Sequence, residues 1–196
     1  MTWLYLSLAS ALCFACLNIL SRIVSIDSKN PRALSLVFNF VCTVMAIILF
    51  LLTGSYKKIT LPTQIEAWIY FFIASVFYAL YERLRFYVSK VLNASINSII
   101  GNLAVVIAFI ISLFLYKELL TLSKAIGFIL IMVSLFLVID RTKSKISLKG
   151  IILGLIASVF VGIGWGLDKK GIIYFNLETY NVLIWFSSFV ILCLPN

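Results

Sequence analysis

The chain has 196 residues, of which 63% are hydrophobic and 12% charged, and its mean hydropathy is +1.15. A soluble domain has about half its residues apolar and about a quarter charged, so too little polar surface remains here to face water, and a soluble globular fold is excluded. The net charge of +9 gives no nucleic-acid partner either. Lys and Arg stand in short clusters between apolar runs, where they face lipid headgroups or fix topology, and not in a stripe along one face.

A hydrocarbon layer of about 30 Å takes roughly 20 helical residues. That ruler marks seven segments: Trp3–Val24, Ala33–Thr53, Ala67–Ser89, Ala94–Tyr116, Leu122–Asp140, Gly150–Leu167 and Tyr180–Pro195. Backbone in lipid must satisfy its own hydrogen bonds, so the expected fold is all-α, a polytopic bundle of about seven transmembrane helices. The lipid bilayer is its first partner. Basic residues divide eight to six between the two faces, which sets no orientation.

The first segment has Ala9-Ser10-Ala11, which resembles a cleavage site. It lacks a basic leader, and its apolar run continues to Leu20, so a retained helix is expected. Cys13 and Cys16 lie one turn apart, and Cys42 and Cys193 also sit in apolar runs. With no His in the chain, all four read as packing residues rather than a metal or redox set. Asn18 in this segment, Ser35 and Asn39 in the second, and Ser98 and Asn102 in the fourth are intramembrane polar residues. They either line a substrate cavity or bond helix to helix.

The third segment is the exception to the apolar pattern. Ala67–Tyr81 holds fifteen uncharged residues, ~22 Å of helix at 1.5 Å each and too short for the bilayer. The helix is therefore expected to run on through Glu82, Arg83 and Arg85. Ser75, Tyr78, Glu82, Arg85 and Ser89 step by three and four, one polar stripe along a helix, and Glu82 and Arg85 stand one turn apart, able to pair. An intramembrane charge costs about 2.5–3.5 kcal/mol on insertion scales. It therefore faces a wet cavity, with Arg85 meeting an anionic group and Glu82 a cationic group or proton, or it snorkels to headgroups from a tilted helix. Arg83 lies off the stripe and fits snorkelling.

In the sixth segment Gly150, Gly154, Gly162, Gly164 and Gly166 suit close helix approach. Trp165, one turn before Asp168 and Lys169, suits either stacking on a substrate or an interfacial belt. Catalysis is not expected. Without His, paired carboxylates on one face or a Gly-rich phosphate loop, the parts of a hydrolytic or metal-dependent centre are missing, and no cofactor is implied.

Shifting the chain by 148 residues lays Leu8–Arg22 on Ile156–Lys170, with Ala9-Ser10 on Ala157-Ser158 and Arg22 on Lys170. The expected domains are a first five-helix repeat over 1–147 and the start of a second over 148–196. An odd helix number inverts the second copy. That copy reaches only two helices, so the chain is expected to be a fragment of an inverted five-plus-five plan.

Leu115-Tyr-Lys-Glu-Leu-Leu-Thr-Leu-Ser-Lys-Ala-Ile-Gly-Phe-Ile-Leu-Ile-Met-Val-Ser134 resembles the EamA type of the drug/metabolite transporter superfamily, in which a helix ends in Gly-Glu-Arg and an Ile-Gly-x-x-Leu-Ile-x-x-Gly pattern opens the next. Glu118, Ile126-Gly127 and Leu130-Ile131 stand where the pattern asks, while Lys117 and Ser134 replace two of its glycines. Phe86–Ser95 is similar to the family's third-to-fourth helix junction, and Asn18–Arg22 to the end of its first helix. The fourth helix lacks the Pro often found there, which argues against a break.

The resemblance implies a multi-pass carrier of small metabolites in a bacterial or archaeal cytoplasmic membrane, working by alternating access. Proton or ion coupling, or exchange, would drive it. The Glu–Arg stripe suits a zwitterionic or anionic small-molecule substrate. Expected site residues are Tyr78, Glu82, Arg85, Asn18, Asn39, Asn102 and Trp165. A half-carrier pairing with a partner chain, as in a homodimer, and a non-transporting scaffold or assembly subunit are the alternatives. A lipid-modifying enzyme would need a cluster of acids or His at one interface, and the sequence has none.

Overall fold

The computed structural model describes residues 2–59, 61–117, 119–141 and 147–195. Among them there are helices and no strand. The elements are α1 (Thr2–Asp27), α2 (Pro31–Leu52), a 3-10 turn (Ser55–Lys58), α3 (Ile65–Val91), α4 (Ala94–Gly101), α5 (Leu103–Tyr116), α6 (Leu122–Arg141), α7 (Leu148–Tyr174) and α8 (Leu177–Cys193). Among the described residues, five helices are long and apolar enough to cross a membrane, with Ala94–Tyr116 taken as one; Leu122–Ser134 and Leu177–Cys193 are shorter apolar helices. The chain is a polytopic transmembrane helix bundle.

Its polarity confirms the setting. Phe114, Leu52 and Leu12 are 83%, 78% and 69% exposed, whereas Ser35, Asn39, Ser75, Glu82 and Arg85 are buried. Apolar side chains turned outward around a polar interior suit lipid as the solvent. Cys13, Cys16 and Cys193 are exposed and Cys42 half-buried. The first three therefore point outward instead of packing within the chain, which corrects the reading from apolar context alone.

Two expectations about helix length are revised. α7 runs to Tyr174, past the Leu167 boundary and through Asp168-Lys169-Lys170, because apolar residues resume at Gly171 and no Pro intervenes. The fourth segment is interrupted at Asn102 without any Pro. Asn102 keeps φ −62° and ψ −20°, and its N–H donates to the carbonyls of Ser98 and Ile99 at 3.2 and 3.1 Å. The chain thus tightens there rather than turning. Gly101 and Asn102 are both weak helix formers, and Ser158 of α7 donates to the Ile100 carbonyl at 3.0 Å, supplying a partner beside the interruption.

α7 lies at the centre, packed on α3 and α5. Its glycines permit this. A Cβ at Gly162 would stand 2.7 Å from the Ala104 carbonyl oxygen and 2.7 Å from Ile107 Cβ, and one at Gly166 would stand 2.7 Å from Ile111 Cγ2. Two apolar clusters bracket the interior. Ala67, Phe71, Ala74, Leu167, Phe175, Tyr180 and Ile184 pack at the start of α3, and Val88, Leu92, Ile96 and Ile100 at its end. Between them α3 carries the polar stripe.

Candidate substrate cavity

A cavity of about 870 Å³ opens between α2, α3, α7 and α8, with Phe14 and Leu17 of α1 on its wall. Leu49, Phe50 and Thr53 at the end of α2, Ile172 near the end of α7, and Leu177 and Glu178 at the start of α8 form one end of the lining. All lie on the face of the bundle where α1 begins. Glu82 and Arg85 form part of the floor. Beyond them a second space of about 40 Å³ is lined by Asn18, Asn97, Gly101 and Ser158, sharing Tyr81, Arg85 and Trp165 with the first.

The floor is held by an ion pair. Arg85 Nη1 is 3.2 Å from Glu82 Oε1, Arg85 Nη2 donates to Ser21 Oγ at 3.3 Å, and the guanidinium lies 4.3 Å over the Phe38 ring. Ser35 Oγ donates to the Glu82 backbone carbonyl at 2.6 Å, pinning α2 to α3. The pair is neither solvated nor snorkelling: Glu82 and Arg85 are 4% and 7% exposed. Among the described residues, two acceptors here have no close hydrogen-bond donor, Glu82 Oε2 and Asn39 Oδ1. One of the two N–H groups of the Asn39 amide goes to the Ser35 carbonyl at 3.0 Å, and the amide also lies beside the Glu82 carboxylate.

Nearer the opening stands an arrangement that sequence reasoning missed. Asp168 accepts from Tyr78 Oη at 2.5 Å through Oδ2 and from Tyr180 Oη at 2.9 Å through Oδ1. Two glycines on the same face of α7, one turn to either side, make room for the phenols. A Cβ at Gly164 would stand 2.8 Å from the Tyr78 ring, and one at Gly171 would stand 2.3 Å from the Tyr180 ring. One carboxylate thereby joins α3, α7 and α8.

Of the expected site residues, Tyr78, Glu82, Arg85, Asn39 and Trp165 line the main cavity, and Asn18 lines the smaller one. Asn102 lines neither and is exposed. Ile96, Ile100 and Ala104 turn inward, and a residue two places past Ile100 on a helix faces the other way. The ends of the stripe serve packing: Ser75 Oγ bonds Ser187 Oγ at 2.7 Å, and Ser89 Oγ accepts from Asn97 at 3.3 Å. Arg83 donates to the Leu194 carbonyl at 2.9 Å. Glu118 lies outside the described residues.

The opposite face is tied shut. Arg22 donates to the carbonyls of Ser89, at 2.7 Å, and Lys90 in the last turn of α3. Lys90 Nζ reaches the Ser28 carbonyl at 2.7 Å, and Arg32 reaches the Leu194 carbonyl at 2.7 Å. Cations on carbonyls at helix C-termini satisfy orphan acceptors and the negative end of the dipole.

A helical membrane protein with a one-sided polar cavity between its helices is the class these features define. The EamA-like transporter family matches residues 1–140. The chain belongs to that family, so it is an integral, multi-pass membrane protein of a family of small-molecule transporters, which are not generally enzymes. Comparison with curated proteins and with solved structures finds no match.

Proposed function

We propose that the chain is a secondary carrier of small metabolites, held here with its cavity open to the face where α1 begins. What supports this most is the asymmetry of one interior: a polar floor reached from one side, and basic side chains closing helix ends on the other. Alternating access needs such a pair of states around a fixed central site. A scaffold has no use for an ion pair sealed beneath a cavity, so that reading is the weaker. The driving force in this reading is ion coupling or exchange. Residues 1–147 act as one repeat, and α7 and α8 begin its inverted counterpart. α8 packs on α2, with the Phe40 and Phe189 rings 5.8 Å apart.

In proteoliposomes, Arg85→Ala is expected to abolish uptake, and Arg85→Lys to reduce it by about tenfold or more, because an ammonium cannot keep the fork on Glu82 and Ser21 while lying flat on Phe38. Unchanged uptake by both variants would remove Arg85 from the transport site.

Cys42 lines the cavity and gives a second test. With Cys13, Cys16 and Cys193 replaced by Ser, a membrane-impermeant maleimide should label Cys42 only from the face where α1 begins, and more slowly when substrate is present. Equal labelling from both faces would contradict the one-sided opening.

A further inference from the structure

The chain is strongly basic, with sixteen Lys and Arg against seven Asp and Glu, yet its cavity reverses that balance. Among the described residues, three acids line it (Glu82, Asp168 and Glu178) against one basic residue, Arg85. Arg85 is already matched by Glu82 and covered by Phe38, so the floor pair is neutral. The surplus charge is that of Asp168, within the helices, and Glu178, exposed at the mouth. Low-dielectric walls strengthen such a field. An anion entering here meets two carboxylates before it reaches a guanidinium that is occupied.

The unpartnered polar atoms point the same way. Asn39 is fully buried and Glu82 nearly so, and among the described residues Asn39 Oδ1 and Glu82 Oε2 are buried beneath the cavity surface without a close donor. A buried acceptor left empty costs about 1–3 kcal/mol, so the floor is rich in acceptors and has no donor to spare for an anion. The walls include Phe38, Tyr81, Trp165 and Trp185, and aromatic faces attract cations.

Resting on the carrier reading above, we propose that the substrate is an organic cation carrying N–H donors, a protonated amine on an apolar or aromatic body. Asp168 receives its charge, above the polar floor formed by Asn39 and the Glu82–Arg85 pair. Tyr78 and Tyr180 hold the Asp168 carboxylate in place from two helices, acting as positioning residues. Asp168 is thus a substrate-binding residue, and the Glu82–Arg85 pair a neutral floor rather than an anion site.

The probes are phenethylamine, 3-phenylpropionate and phenylalanine, which share a ring and differ in charge. Binding of each to the full chain in nanodiscs is measured by calorimetry, and flux of each in proteoliposomes. Phenethylamine should bind at least about tenfold more tightly than 3-phenylpropionate, and Asp168→Asn should remove at least about tenfold of that affinity. Asp168→Glu should restore part of it. Size-exclusion profiles matching the parent establish that both variants are folded. The proposal is overturned if 3-phenylpropionate binds as tightly as the amine, if monodisperse Asp168→Asn binds the amine unchanged, or if none of the three binds. Amine binding in the expected order with no flux of any probe would support the site and overturn the carrier reading. Flux of 3-phenylpropionate alone, insensitive to Asp168→Asn, would do the reverse.

Discussion

Arg85→Ala should lower the stability of the folded protein by about 3–5 kcal/mol, the usual cost of stripping one partner from a buried ion pair. Glu82 is 4% exposed and accepts no other described cation, so no water or neighbouring charge takes over. The variant also empties the space against Phe38 and leaves Ser21 Oγ without its long-range donor. In detergent the loss should appear as a fall in Tm of roughly 10 °C. The double variant Glu82→Gln/Arg85→Met should recover most of it, because a buried pair replaced by uncharged groups of similar volume is close to neutral, while uptake stays lost. Failure of the double variant to recover stability would mean that the guanidinium's own contacts to Ser21 and Phe38, and not the unpaired Glu82 alone, set the cost.

Gly162→Ala should have the next largest effect. The added Cβ would meet a backbone oxygen and a branched Cβ, both at 2.7 Å, and neither can swing aside, so α5 and α7 must separate. Overpacking of this kind costs about 1–3 kcal/mol. Gly127 on α6 has nothing within 4 Å of the same position, and Gly127→Ala should raise stability by about 0.5–1 kcal/mol through helix propensity alone. Opposite shifts in Tm for the two alanines, measured side by side, are the expected outcome. Shifts of one sign would show that α7 is not wedged on α5.

How much of this could be read from the residues depends on where each signal resides. The helices were legible because an apolar run longer than a bilayer admits one conformation. The polar stripe of α3 was legible because its period lies within one helix. Asp168 was not, for a specific reason: its neighbours Lys169 and Lys170 look like the end of a span, and the Leu167 boundary left it outside. The same reasoning that carried α3 through Glu82 and Arg85 applies to Gly171–Tyr174, and it would have found the residue. Its two phenols could not have been found that way, since Tyr78 is ninety residues away in the chain. Asn102 failed for the converse reason, an intramembrane amide that marks an interruption instead of facing the interior. The Glu82–Arg85 pair was legible because it lies one turn apart on one helix, whereas the Phe38 ring that covers the guanidinium comes from another helix.

The carbonyl oxygen of Leu194 receives both Arg32 of α2 and Arg83 of α3. Two helices are therefore hooked over one peg at the end of a third, with both lone pairs in use. Swinging that single peptide plane would withdraw the acceptor from both arginines together, so α2 and α3 sense the end of α8 through the same atom.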